Sequence, residues 1–367
     1  MSESRHERPG VYSSYDASAV VTAGRGSKII GVAAKAASGT VGEVVTLTGY
    51  TAGVAAFGEG VDPGMSTILR LLFLNGASTV AAVRVADEEP DYAGAFGVLG
   101  KVEAQILVCD SGELSVQQAL RTAVETASEQ RRERIAVVGG SGLAAAELVE
   151  RAKELNSERM VLVGPDLVDG SGGTLPGVFA AAALAGVIAG SGDPAVPLNG
   201  AEMSGLLGLT EDYSDNDIDL LVRGGVTPLE SVSGIISPVR GITTRTMTGD
   251  VADTTWRELT TILIVDDIIP SIRSSLRSRF ARAKNTARGR SAIRSQVIVE
   301  LEKKVAAEII DSYGEVTVTA LEDDPTICLV EFSFAVTHGL NQIYLTVHIT
   351  VPPVRGKSAR PAPRNGS

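Results

Sequence analysis

Cysteine, histidine and aromatic residues are all scarce in this 367-residue chain, and each scarcity closes off a class of function. The two cysteines, Cys109 and Cys328, each sit inside an apolar strand-like run. They cannot build a disulfide scaffold and are expected as buried, inert thiols. The three histidines are His6, His338 and His348. They form no Cys/His cluster with metal-ligand spacing, so neither a metal nor another cofactor is expected. Aromatics make up 4% of the chain, which leaves Ala, Val, Ile and Leu to supply most of the core. No G-x-S-x-G elbow and no phosphate loop ending in Gly-Lys-Ser/Thr occurs. The longest apolar tract, Phe179–Gly190, is too short and too rich in Ala and Gly for a membrane span. The opening MSESRHERPG is polar, so no signal peptide is expected and folding in the cytoplasm is. Together these absences disfavour an enzyme.

What the chain does have is segregated charge. Between Ser271 and Val299 stand Arg273, Arg277, Arg279, Arg282, Lys284, Arg288, Arg290 and Arg294, with no acid among them. The whole chain carries net charge -11, so these eight cations leave about -19 on the rest. They lie within the stretch from Thr255 to Ser312, around which the chain is organised. An apolar, β-branched segment, Ile262 to Val265, reads as a strand leading into Asp266 and Asp267. Two helical patterns follow: Ile268, Ile269, Ile272, Leu276 and Phe280, then Ile293, Val297, Leu301, Val305 and Ile309. A break is expected between Asn285 and Gly289, inside the basic run. A helix face of one sign repels itself unless a partner neutralises it. The partner favoured here is an acidic protein surface, with nucleic acid and a merely solvated patch as alternatives. Because the rest of the chain is acidic, other copies of it could serve, and the planar fork of arginine suits pairing with carboxylates.

Residues 1 to about 20 read as an arm, broken by Pro9-Gly10. From Ser27 the pattern is strand, strand, helix, strand, with Ile68, Leu69, Leu72 and Phe73 on the helix. Between 98 and 200, AQILVCD, RIAVVGG and RMVLVGPD alternate with helical stretches, which predicts parallel strands joined by crossover helices. From Ser191 to Thr248 long elements are few, with short strands expected around GGVTPLESVSGI and VRGITT. After Ser312 the chain turns all-β, with alternation at Val316 and Val318 and again at Ile343, Leu345, Val347 and Ile349. From Pro352 it is Pro-rich and basic, a tail expected to be flexible. The fold class is thus mixed α/β, with an α+β character given by the terminal strands.

Three constellations invite a chemical reading. Gly140, Gly142 and Ala145 match G-x-G-x-x-A between a strand and a helix, the context of a dinucleotide site. The acid that would hold the ribose, Asp166, falls too late, so a tight strand-to-helix turn is the better explanation. A nucleotide-binding α/β enzyme using this turn is the alternative function. Asp215, Asp217 and Asp219 have the spacing that opens a calcium loop. Leu220 and Val226 then stand where that loop needs Gly and Glu, so a solvated acidic loop is expected. Asp266 and Asp267 could be paired catalytic carboxylates, but caps on a helix start are favoured.

Five segments in order resemble the contractile tail sheath proteins of phages and phage-like particles. They are RPGVY (Arg8 to Tyr12), PGVFAAAALAGVIAGSGDPAVPLNG (Pro176 to Gly200), GGVTPLE (Gly224 to Glu230), VRGITTRT (Val239 to Thr246) and TTILIVDDIIPSIRSSLRSRF (Thr260 to Phe280). The resemblance implies six-fold rings of subunits stacked as a sleeve around an inner tube, with tube, baseplate and tail terminator proteins as partners. It implies assembly in the host bacterial cytoplasm and residence in a virion tail or phage-like particle, with no cofactor and no direct nucleic acid. Arms at the two ends would complete β-sheets in neighbouring subunits. Carried onto this sequence they are 1–23, with Val11, Tyr12 and Tyr15, and 341–351, with Ile343, Leu345, Val347 and Ile349. The core would comprise 24–95 and 201–340, with a small α/β outer domain over 96–200 and a flexible tail over 352–367. The basic run resembles the region that faces the tube. The chain is short for the family, which implies few outer domains.

Overall fold

The computed structural model describes residues 28–59 and 64–341. The proposed arm residues Val11, Tyr12, Tyr15, Ile343, Leu345, Val347 and Ile349 lie outside the described residues, as do His6, His348 and the 352–367 tail.

The first strands form as their patterns predict. β1 (Ile29–Lys35) and β2 (Val44–Leu47) are followed by α1 (Tyr50–Phe57), α2 (Met65–Leu74) and β3 (Thr79–Val85). Next come α3 (Tyr92–Leu99), β4 (Ile106–Cys109), α4 (Leu114–Glu129), β5 (Ile135–Gly139), α5 (Ala145–Leu155) and β6 (Met160–Gly164). A two-residue hairpin, β7 (Leu167–Val168) with β8 (Thr174–Leu175), leads to α6 (Val178–Gly190) and α7 (Asp215–Arg223). The hairpin β9 (Thr227–Val232) and β10 (Ile235–Pro238) completes one eight-stranded sheet, in the order β10-β9-β6-β5-β4-β1-β3-β2. Strands from β9 through β3 run parallel, and only the outermost two, β10 and β2, pair antiparallel. Every residue of β4, β5 and β6 is buried, as strands covered on both faces must be.

Side-chain alternation divides the sheet residues between two cores. Val137 faces α1, α2, α6 and the start of the next long helix, while Ala136 and Val138 face α3, α4, α5 and α7. This topology corrects the division at 96 and 200. β1 pairs with both β3 and β4, and β6 pairs with β9, so the 96–200 strands are the middle of the sheet. Apolar runs buried on both faces needed neighbours from the flanking stretches. The VRGITT segment contributes no strand, only an isolated bridge from Ile242 to Glu258.

A short hairpin, β11 (Met247–Thr248) and β12 (Val251–Ala252), precedes α8 (Leu259–Phe280), which corrects a second expectation. Ile262 to Val265 form no strand; they are the second turn of a 22-residue helix. Their β preference is weak against the burial available on both sides. Ile262, Leu263, Val265 and Ile269 enter the first sheet core, while Ile264, Ile268, Ile272 and Leu276 enter a third core. Pro270 sits inside this helix and costs about 3 kcal/mol there, which burial of the flanking turns in two cores offsets. The third core is completed by α9 (Ala287–Ala306), β13 (Ile310–Tyr313), β14 (Thr317–Ala320), β15 (Cys328–Glu331) and β16 (Phe334–Val336). β13 pairs with β16 and β14 with β15, both antiparallel, as the alternation after Ser312 predicts.

α6 is apolar all round and buried along nearly its whole length. Its small residues let α2 approach closely. A methyl group added at Gly186 would lie 2.7 Å from Cβ of Asn75 and 2.8 Å from the Leu72 carbonyl oxygen. Gly186→Ala is therefore expected to lower stability by about 1–3 kcal/mol, measured by denaturant unfolding. An unchanged midpoint would show that α2 and α6 are not in this contact.

Candidate functional site

The N-terminal ends of β5 and β6 meet α8 along a charged seam. Both strands are entered through a Glu-Arg pair, Glu133-Arg134 before Ile135 and Glu158-Arg159 before Met160. Apolar strand residues pin these four charges at the sheet edge, where α8 supplies their partners. Arg159, 1% exposed, donates to Asp266 through Nη1 at 2.8 Å and Nη2 at 3.1 Å. Arg273 donates in the same bidentate way to Glu133, at 2.7 and 3.2 Å. Lys304 of α9 donates to Asp267 at 2.6 Å, and Glu158 accepts from Arg245 at 3.1 Å. The Arg134 guanidinium turns the other way, onto the carbonyl oxygens of Leu99 and Val102. Burial pushes the Asp266 carboxyl up, and the Arg159 charge works against that push.

Asp266 and Asp267 are therefore neither caps nor a catalytic pair. They lie in the third turn of α8, and each has its own cation. The same helix periodicity that overrides the expected strand sends them to opposite partners, one toward the sheet and one toward α9. Beside the seam is a cavity of about 1070 Å³, lined among others by Lys28, Glu103, Asp193, Leu263, Asp266 and Pro270.

The basic run does not stay together. Arg273 is consumed by Glu133, so it does not share an open face with Arg277. Arg294 donates to the Val316 carbonyl oxygen at 2.7 Å, and Arg290 to the Asn285 side chain at 2.9 Å. Arg277, Arg279, Arg282, Lys284 and Arg288 are exposed at the corner between α8 and α9. Among the described residues none of these five has an acidic partner. Thr286 caps α9 by accepting from the Gly289 amide at 3.1 Å, which fixes the expected break. Asn285 ties the corner to the turn bearing Glu322, Asp323 and Asp324, donating to the carbonyl oxygens of Pro325 and Ile327 at 2.7 and 3.2 Å.

The Gly140 turn is closed from within the protein. Asp166 accepts from the Gly142 amide at 2.6 Å and from the Gly177 amide at 2.7 Å, closing the turn with the protein's own carboxylate. A methyl group at Gly139 would lie 2.0 Å from the Gly177 carbonyl carbon, so these glycines serve close backbone packing. Asp215, Asp217 and Asp219 lie on α7 and not in a loop. Ser214 caps that helix and bonds Asp217, Asp219 pairs with Arg223, and acids in a first turn favour helix. No group of acids, cysteines and histidines able to hold a metal occurs among the described residues. Among them, too, no helix is long and apolar enough to cross a membrane.

Removing Asp266 strands a buried guanidinium, whereas removing Arg277 strands nothing. Asp266→Ala is expected to cost about 3–5 kcal/mol, and Arg277→Ala less than about 0.5 kcal/mol. Urea unfolding of the two variants compares them directly, and equal losses would contradict the assigned roles.

Known proteins share this fold. Residues 87–244 match the phage tail sheath protein central domain, and residues 251–350 match the phage tail sheath C-terminal domain. A tail sheath protein of Bacillus phage SP01 is 31% identical over 250 residues, 66% of this chain and 42% of that protein. The chain therefore spans less than half the length of that relative. The contracted helical sheath of the anti-feeding prophage superposes with a TM-score of 0.70 at 15% identity, covering 94% of this chain and 99% of that one. The contracted sheath of the PVC extracellular contractile injection system gives 0.69 at 13% identity, covering 95% and 99%. The sheath tail protein of Desulfitobacterium hafniense gives 0.66 at 12% identity, covering 89% and 100%. With the two sheath domains matched in order along more than half of its length, the chain belongs to the contractile phage tail sheath family.

Proposed function

We propose that this chain is the structural subunit of a contractile sheath, polymerising as stacked six-fold rings around an inner tube. Contraction is then a change between two packings of one folded subunit, with the free energy held in the interfaces and no catalytic step. The observation that carries this reading is the exposed corner of five cations without an acidic partner among the described residues, in a chain of net charge -11. Such a corner has no acidic partner among the described residues and would gain one in an assembly. An acidic tube surface would hold the sheath extended through Arg277, Arg279, Arg282, Lys284 and Arg288. Arg273, Arg290 and Arg294 fall outside this set because each already bonds within the chain.

The terminal arms, 1–23 and 341–351, would link subunits by strand addition, in which main-chain hydrogen bonds supply strength and flanking loops act as hinges. Tube, baseplate and tail terminator proteins would complete the particle. Assembly would take place in the host cytoplasm before the tail or phage-like particle is released. The nucleotide-binding alternative loses its support at the Gly140 turn, where Asp166 already takes the Gly142 amide.

Negative-stain microscopy of the purified protein with its tube protein tests the assembly reading, with wide striated sleeves as the expected result. Reversing the five corner cations to Glu is expected to abolish tube-dependent sleeves while leaving the unfolding midpoint within about 0.5 kcal/mol per site. Sleeves that form on the tube as readily with the reversed corner would show that the corner does not face it.

A further inference from the structure

The first and last stretches of described chain are held by one short loop. Lys28 reaches the C-terminal end of α6, where its ammonium donates to the carbonyl oxygens of Ile188 at 3.1 Å and Ser191 at 3.4 Å. Unsatisfied carbonyls and the negative end of the helix dipole make that a cation site. At the other end, the Asn199 amide donates to the Asn341 side-chain oxygen at 2.8 Å. Gly339 packs on the Pro197 ring so closely that an added methyl group would lie 2.9 Å from its Cβ. Lys28 and Asn341 are 313 residues apart in sequence, yet both are fastened within the segment from Ile188 to Asn199.

The loop is itself stiff. The Ser191 hydroxyl donates to the Asp193 carbonyl oxygen at 2.9 Å, and the Ala195 amide donates to the Asp193 carboxylate at 2.9 Å. Ala195 is buried in the third core and Leu198 in the first, so the loop is seated on both bodies that α8 joins. Gly200 is held by the Pro238 carbonyl oxygen at 3.0 Å, which ties the far end of the loop to the edge hairpin. Burial pushes the Lys28 ammonium below its usual range, and the carboxylates of Asp267, Asp266 and Asp193 work against that push.

We propose that the loop Ser191–Asn199 is a shared anchor for the two exits of the described chain, coupling the N-terminal and C-terminal extensions mechanically. On the sheath reading, tension arriving through one arm would be shared with the other along this loop. That consequence rests on the sheath reading. The coupling itself is a property of the isolated subunit and can be measured there.

A coupling between two sites is reciprocal, so loosening either end must loosen the other. Lys28→Met removes the bonds to α6 while keeping an apolar stem. It is expected to speed amide hydrogen exchange at Gly339 to Asn341 at least threefold, with β5 amides unchanged. Asn199→Ala is expected to raise the acylation rate of Lys28 by a similar factor. Neither substitution touches a core, and a Pro197→Cys/Gly339→Cys pair adds a check in a single protein. Oxidising that pair should slow Lys28 acylation at least threefold relative to its reduced form. Ends that respond only to their own substitution, or a staple that leaves Lys28 unchanged, would overturn the shared anchor. Because all three measurements use the full-length subunit alone, a failure to form sleeves would count against the sheath reading and not against the anchor.

Discussion

The structure depends on α8 being shared. Its apolar residues are divided between the first sheet core and the third core, and its charged residues reach Arg159, Glu133 and Lys304 on three other elements. Burial supplies most of the attraction, at about 25 cal/mol per Å² of apolar surface. The ion pairs add direction more than stability, because desolvation cancels much of their Coulomb energy. Their bidentate geometry permits one rotation of the helix about its axis and one depth along the sheet edge. The two bodies are thereby fixed in a single relative placement.

Fixed placement would suit the proposed sheath subunit, which would work by repacking. If the folded block deformed easily, a change of lattice could be absorbed inside each copy and would perform no work. In a chain braced through α8, change concentrates at exposed features instead. On the sheath proposal those features would be the five cations at the α8–α9 corner and the two ends of the described chain near Ile188 to Asn199. Charge is segregated accordingly. Arg159, Arg273 and Lys304 inside the fold are paired with Asp266, Glu133 and Asp267, while five exposed cations are grouped at one corner in a chain of net charge -11.

Periodicity made much of this legible. The parallel strands over 98–200, the two long helices around the basic run and the hairpins after Ser312 all follow from runs of apolar residues at period two or near 3.6. The misreadings have physical causes. Ile262 to Val265 resemble a strand locally, and only the distant cores on both sides decide for helix. The strands over 96–200 look self-sufficient, but sequence does not display their need for β1 and β9 as edge neighbours. Asp266 and Arg273 were both visible as candidates. Their partners Arg159 and Glu133 were not, although the Glu-Arg pair repeated at the start of two buried strands marks where charge is forced against the core. Asp166 was weighed for a ribose and instead closes the turn that seemed to offer a phosphate site.

Native-state hydrogen exchange in rising denaturant tests the bracing most directly, because it reads the stability of each body separately. Amides of Val137 and Val138 in β5 report the sheet, and those of Val297 and Leu301 in α9 report the third core. If α8 makes one cooperative block, all four exchange through the same global opening and converge on one free energy. If α9 instead opens at markedly lower denaturant while β5 stays protected, the two bodies are independent, and the account of α8 as their common brace is wrong.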